Sequence, residues 1–417
     1  MPDRTDHHEG THCPALSSAA VSAAFLAPSS AGLHTLLREL RDGAPVFFSE
    51  ELNVWIVTRY EDVLRILKDA ELFPASTRSV ILGAYPPDVS ELLAATATFT
   101  APNMGFDGRP THDRLRKPVT PCLSAQGVAR LEPRIRDMAD HCAARLPGAP
   151  PADLVADYAR PMAVALVMAL AGFPDDDHDR VLRYHRAVSE FFFGSPPPDR
   201  QLAYARDVQE WEAYLAALIR ERGHRPGDDL ISHLAAQGAY TERELISLIS
   251  FDIVTAGIGP TGYALTVLCR ELLEDPRRRD ALLAEPALFD GYFAESLRRS
   301  GPALGVFRTA AAETELGGVR IPAGAALWAM IASADRDERR FERPDDHDPA
   351  RPRLGASLHF SHGLHYCLGA TLARTAVRTA AMTLLRHRPG LRLVPDQPRV
   401  YEPGINVIAP ARLLVEW

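Results

Sequence analysis

Residues 360–374 read FSHGLHYCLGATLAR, and the fold turns on how Cys367 is taken. Upstream of it lies a short loop with Gly363. Downstream, LGATLARTAVRTAAMTLLRH (368–387) has the composition and spacing of a helix, predicted over about 368–388. A thiolate at a helix N-terminus is stabilised by free backbone N–H groups and the helix dipole. Gly363 and Gly369 leave room for a flat group to approach the main chain. A lone cysteine is ordinarily a core residue. The glycine, histidine and aromatic residues spaced around this one point instead to a ligand.

A second stretch constrains the first. Gly257–Gly262, GIGPTG, fits G-x-G-x-x-G, the dinucleotide fingerprint. That reading needs a strand just before Gly257 and another after the following helix, and the sequence supplies neither. Thr241-Glu242-Arg243-Glu244 is instead a capping box. Leu245, Leu248, Ile249, Ile253 and Ala256 follow at helical spacing, which resumes at Tyr263, Ala264, Val267, Leu268 and Leu272. One helix over 241–274 is expected, roughly 50 Å long at ~1.5 Å per residue. Three glycines and a proline weaken it by roughly 6 kcal/mol, at about 1 per glycine and 3 for proline. The bland reading is an ordinary kink. The functional one is a helix opened where a ligand meets the backbone.

The rest of the chain is consistent with a mainly α protein carrying a minor β part. Residues 45–60 read as two short strands around a turn and EDVLRILKD as a helix. Residues 74–110 are proline-rich loop, and 111–240 are mainly helical with breaks at Pro174 and 194–199. Residues 300–325 return to strands, and short strands finish the chain. The 417 residues are 46% hydrophobic and 24% charged, with a net charge of −8. Such a balance gives no electrostatic support for nucleic-acid binding. Five scattered cysteines without C-x-x-C argue against a disulfide framework and for a reducing cytoplasm. No signal peptide or membrane anchor is readable, and residues 1–20, with His7, His8, His12 and Cys13, read as a disordered tail.

Phe360, Gly363, His365, Cys367 and Gly369 match F-x-x-G-x-H-x-C-x-G in full. The stretch resembles the haem-binding loop of the cytochrome P450 family, and further landmarks extend the resemblance from about residue 35 to 417. The resemblance implies a single haem-thiolate domain of the cytochrome P450 fold, with the 241–274 helix lying over haem b. It implies Cys367 as the axial ligand of iron, Phe360 packed on the proximal side, and His365 bonded to a propionate. Arg308 matches the strand arginine that reaches a propionate. His112 and Arg116 match H-x-x-x-R, two cations suited to a dicarboxylate. Glu295 and Arg298 match E-x-x-R, the ion pair behind the cysteine loop. With no anchor, flavin domain or nucleotide site, the chain is most similar to bacterial members that take electrons from a separate ferredoxin and ferredoxin reductase. Arg109, Arg114, Lys117, Arg374 and Arg378 are candidates for the docking patch.

Two departures stand out. AGIGPT takes the place of A-G-x-[D/E]-T-T, so Gly257 matches the groove glycine but Gly259 replaces the acid and Pro260 the alcohol that deliver protons to dioxygen. Thr261 points about 100° further round the helix. Three accounts are open. The substrate's own polar groups, with water, relay protons, which is the favoured account. Asp252 supplies the acid. Or the enzyme departs from ordinary oxygen insertion, through peroxide use, desaturation, radical coupling or ring formation. The second departure is Asp346-His347, where the family has a basic residue and Phe; Arg351 is a candidate to compensate. Pocket candidates are Ile81, Leu82, Met104, Phe192, Asp252, Thr255, Ala256, Leu304 and Ile405, with FFFG (191–194) as a lid. Tailoring of a bacterial specialised metabolite is the expected role; a non-catalytic haem protein and a nicotinamide dehydrogenase are the rivals.

Overall fold

A computed structural model describes residues 30–75, 85–194, 196–402, 406–408 and 410–417. The expected tail at 1–20 lies outside the described residues. Eight of the helices frame the site and its surroundings: α1 (Thr111–Leu123), α2 (Ala125–Ala144), α3 (Arg160–Ala171), α4 (His178–Phe193), α5 (Pro198–His224), α6 (Glu242–Glu274), α7 (Phe289–Ser300) and α8 (Ala370–His387).

Helix α6 begins at the predicted capping box. Thr241 Oγ1 accepts from the Glu244 amide (3.2 Å) while Glu244 Oε2 accepts from the Thr241 amide (2.9 Å). The helix continues for 33 residues, long and apolar enough to cross a membrane, yet α3, α7 and α8 pack against it as the central helix of the fold. Its irregularity is not where the glycines and proline suggest. Residues 256–274 stay α-helical through Pro260, and the helix widens just before them into a π-helical segment, Leu248–Thr255. Pro260 has no N–H for the Ala256 carbonyl, and its ring crowds that carbonyl. The wide turns lie just upstream of that carbonyl, where Thr255 Oγ1 donates to the Ser250 carbonyl at 2.9 Å.

The β part is small. Strands β1 (Val46–Ser49), β2 (Val54–Val57), β7 (Ala326–Ala329) and β4 (Val306–Thr309) form one sheet in the order β1-β2-β7-β4. Only the β2–β7 pair is parallel, and Arg308 on β4 sits opposite Leu327. Side chains alternate by the two-residue period. Val46, Trp55, Val57, Leu327 and Ala329 bury on one face, and Phe47, Val54, Ile56 and Trp328 on the other. Strand β3 (Ala152–Asp153) joins β9 (Leu414–Glu416) and β8 (Arg392–Leu393), and β5 (Thr314–Leu316) pairs with β6 (Val319–Ile321). Strands β3 and β7 are additions to the sequence reading. Within the expected loop at 74–110, Pro87–Ala95 and Ala97–Thr100 are helical, so that expectation is corrected.

Candidate functional site

The cysteine loop is held by its backbone. Gly363 has φ +69°, and a Cβ there would lie 2.5 Å from the Leu67 carbonyl oxygen, so only glycine fits. The Cys367 amide donates to the Phe360 carbonyl at 2.9 Å. The Gly369 and Ala370 amides, at the start of α8, donate toward the sulfur. The thiol is accessible, yet protein encloses it on most sides. Burial raises its pKa; the two amides and Arg116 oppose that rise. Phe360 packs on Phe293, with ring centroids 6.3 Å apart.

Behind the loop, Glu295 and Arg298 form a fully buried bidentate pair, Nε to Oε2 at 2.7 Å and Nη2 to Oε1 at 2.9 Å. Arg351 Nε donates to Glu295 Oε1 at 3.1 Å and the Asp348 amide donates to the same oxygen at 3.0 Å. Burial pushes the Glu295 pKa up, but the arginines and the amide outweigh it and leave the carboxyl below its usual range. Arg351 thus supplies the second cation that the departure at Asp346 and His347 left in question. His347 stacks instead on Tyr292, 5.8 Å between centroids.

At the edge of the loop, two imidazoles and two guanidiniums converge. The rings of His112 (α1) and His365 lie 5.1 Å apart. His365 Nδ1 donates to the Met104 carbonyl at 3.1 Å, and His112 Nδ1 faces Asp113 Oδ1 at 3.0 Å. Their Nε2 atoms are buried and have no partner among the described residues. Arg116 Nη2 donates to the Tyr366 carbonyl at 2.8 Å. Arg308 donates to the Phe307 carbonyl at 2.7 Å, and burial pulls its pKa down to about 10. Arg308 and His112 lower the His365 pKa, after burial, to about 4. A buried group of this sign, with two orphaned ring nitrogens beside an accessible thiol, fits a flat dicarboxylate such as haem.

Helix α6 reaches the same region through Asp252. In a mostly buried helix, Ala256 and Pro260 are exposed and Asp252 is half-buried, one row at four-residue spacing. Asp252 Oδ2 accepts from the Met104 amide at 3.1 Å, and its charge, like that of Cys367, acts on Arg116. Met104 therefore ties the Asp252 end of α6 to His365 through its main chain. Gly257 has a packing role: a Cβ there would meet Val167 Cγ2 of α3 at 2.8 Å. Gly259 faces His185 of α4, and Thr261 is half-buried.

The pocket expectations divide. Ala256 and Asp252 face accessible space. Thr255 is 1% exposed with its hydroxyl turned to its own helix, and Leu304 is 0% exposed beside Trp328, so both are core residues and leave the pocket set. Phe192 stacks between Phe99 (4.8 Å) and Phe106 (5.6 Å) and against Phe251 (4.6 Å). That aromatic block, which sequence reading missed apart from Phe192, joins the lid segment to the Ala97–Thr100 helix, to Phe106 and to α6. Ile81, Leu82 and Ile405 lie outside the described residues. On the basic patch, Arg109, Arg114 and Arg374 each face a carboxylate, from Asp113, Glu244 and Asp290.

Comparisons with known proteins agree with this geometry. A family model described as Cytochrome P450 matches residues 242–388. Cytochrome P450 107B1 of Saccharopolyspora erythraea is 32% identical over 355 residues, 84% of this chain and 85% of that one. Mycinamicin IV hydroxylase/epoxidase of Micromonospora griseorubida is 32% identical over 394 residues, 91% of this chain and 94% of that one. Among solved structures, cytochrome P450 CREJ in complex with (4-ethylphenyl) dihydrogen phosphate superposes with a TM-score of 0.86 at 27% identity, covering 91% of this chain and 96% of that one. A long central helix and a buried E-x-x-R pair behind an amide-supported cysteine, in a chain this similar over nearly its whole length, have one reading: it belongs to the cytochrome P450 family and is a haem-thiolate oxidoreductase.

Proposed function

We propose that the chain is one haem b domain that oxidises a small, largely apolar molecule in the cytoplasm, in the tailoring of a bacterial specialised metabolite. Electrons come from a ferredoxin and its reductase. The observation that carries the reading is the accessible Cys367 thiol facing two helix-terminal amides, bordered by His112 and His365 nitrogens that lack partners among the described residues. Cys367 would hold iron, and His112, Arg116, Arg308 and His365 would hold the propionates. When bound, thiolate-ligated haem activates dioxygen, and sulfur donation favours cleavage of the O–O bond. In the net reaction one oxygen atom enters the substrate; the other leaves as water with two electrons and two protons.

This chain's residues then do three things. The Glu295–Arg298–Arg351 cluster fixes the segment that leads into the cysteine loop. The Phe99, Phe192 and Phe251 block is buried and holds the lid segment against α6, while half-buried Phe106 offers an apolar face to the substrate. Asp252 stands on the accessible row of α6, which suits a substrate with a hydroxyl or amine. Neither Gly259 nor Pro260 has a side chain that donates a proton, so protons reach the reaction through water, supplied by the substrate's polar groups or by another residue of the chain.

The likeness to a mycinamicin IV hydroxylase/epoxidase favours hydroxylation or epoxidation of a natural product. A second reading has its own support in the same Gly259-Pro260 pair: use of peroxide, desaturation, radical coupling or ring formation in place of oxygen insertion. Spectral titration with the natural-product scaffold encoded near the gene tests the function. A shift of the haem band followed by a product heavier by one oxygen supports hydroxylation. A product of unchanged or lower oxygen content supports the second reading, and haem without turnover by any donor or peroxide leaves a non-catalytic haem protein.

A further inference from the structure

Gly259 gives α6 no side chain where another helix faces it. A Cβ built on Gly259 would lie 3.6 Å from Cε1 and 3.8 Å from Nε2 of His185, and 3.6 Å from Cε2 of Tyr263. His185, on α4, therefore aims its imidazole at the residue of α6 that has lost its acid.

The other candidate donors nearby are committed elsewhere. The Tyr263 hydroxyl donates to Glu402 Oε2 at 2.6 Å, and burial plus that carboxylate drive its pKa far above the usual range. Glu402 is in turn paired with Arg160 at 2.7 Å. Asp252 stands seven residues earlier, about 10 Å along the helix axis, with its Oδ2 on the Met104 amide. His185 Nδ1, by contrast, lies 3.4 Å from Ser189 Oγ one turn on along α4, which leaves Nε2 toward Gly259.

We propose that His185 is the proton-relay residue of this enzyme, donating from Nε2 to a water lodged beside Gly259 and recovering a proton at Nδ1 through the Ser189 hydroxyl. The proposal rests on the haem-thiolate reading above. It moves protons only: each one leaves Nε2 as another enters at Nδ1, the ring regains its Nε2–H form by exchange with water between transfers, and the electrons are those of the redox partner. Burial, with Arg160, holds the imidazole pKa down to about 4, so the ring is neutral near neutrality and passes on a proton rather than keeping it. The charged and titratable groups of this neighbourhood are Arg160 from α3, Tyr263 from α6, Glu402 near the C-terminus, and Arg186 and Glu190 on α4 itself.

Two measurements on the haem-loaded protein test it. First, His185→Gln should keep the thiolate–CO band while the share of reductant lost as hydrogen peroxide rises roughly tenfold, a fraction of what a positioned general acid contributes. Adding Gly259→Asp, which puts an acid at that position, should bring that share back down. Second, in the diamagnetic ferrous–CO protein labelled with 15N-histidine, Gly259→Asp should raise the His185 titration midpoint by about one unit or more, as a carboxylate within a few ångströms does; Gly259→Ala should not. An unchanged peroxide share with the band intact overturns the proposal, and so does a midpoint that Gly259→Asp leaves in place. Failure of the haem-thiolate reading is distinct, since the band would then be missing from the unmodified protein.

Discussion

Consider Glu295→Gln, which keeps the shape of the side chain and removes its charge. Glu295 Oε1 accepts from Arg298 Nη2, Arg351 Nε and the Asp348 amide, and Oε2 accepts from Arg298 Nε. Arg298 is 1% exposed and Arg351 7% exposed, so the substitution leaves two guanidiniums in the interior without the carboxylate they share. Breaking a buried pair from one side costs about 3–5 kcal/mol. The effect reaches the cysteine. Arg298 Nη1 donates to the Asp335 carbonyl at 2.7 Å, and the Asp335 carboxylate accepts from the Leu358 amide at 2.7 Å, two residues before Phe360. Arg351→Met should cost less, about 1–3 kcal/mol for a charged hydrogen bond, because the Arg298 pair survives it. Denaturant unfolding of the haem-loaded proteins, followed by circular dichroism and by the haem band, gives both numbers. The reasoning fails if Glu295→Gln costs under about 1 kcal/mol, or if Arg351→Met proves the more damaging of the two.

Other expectations follow from the same geometry. Replacing Arg308 with Leu removes a buried cation that would meet a propionate; haem transfer to an apo-globin acceptor should speed up about 10–100-fold, for a charged hydrogen bond worth ~1.5–3 kcal/mol. Burial lowers the pKa of both His34 and His359 to about 3. The native state therefore binds fewer protons than the unfolded chain from there up to the ordinary histidine pKa, about 6.5. Stability should be full above that value and fall as pH drops through the window, with a shallower slope in His34→Gln or His359→Gln. The double change Gly259→Asp with Pro260→Thr restores the family's acid and alcohol. It should raise the fraction of reductant recovered in product, and an unchanged fraction would show that proton donors do not limit the reaction.

Much of this architecture is readable along the chain because the signals are local. The capping box at Thr241 marks the start of α6, and the glycines around Cys367 mark a loop that a flat group can approach. The π-helical segment is different: LISFDIVT has an ordinary apolar composition, and nothing local in it marks the widened turns. Strand β7 escaped because ALWA is a short buried run whose type depends on its pairing with β2 and β4. Pro87–Ala95 escaped because the prolines before it read as loop, although proline suits the first turn of a helix. The pocket was least legible. Leu304 and Thr255 share their composition with lining residues, and only the fold shows them turned into the core. No local pattern marks His185, which reaches Gly259 from a helix more than seventy positions earlier.

The central claim is that the sulfur of Cys367 ligates haem iron, and one spectrum addresses it. The purified protein, reduced and exposed to carbon monoxide, should show the long-wavelength Soret band of thiolate-ligated haem, and Cys367→Ser should abolish that band while the rest of the fold persists by circular dichroism. A haem-loaded protein whose band lies at the shorter wavelength of imidazole ligation, or is the same in Cys367→Ser, would contradict the account.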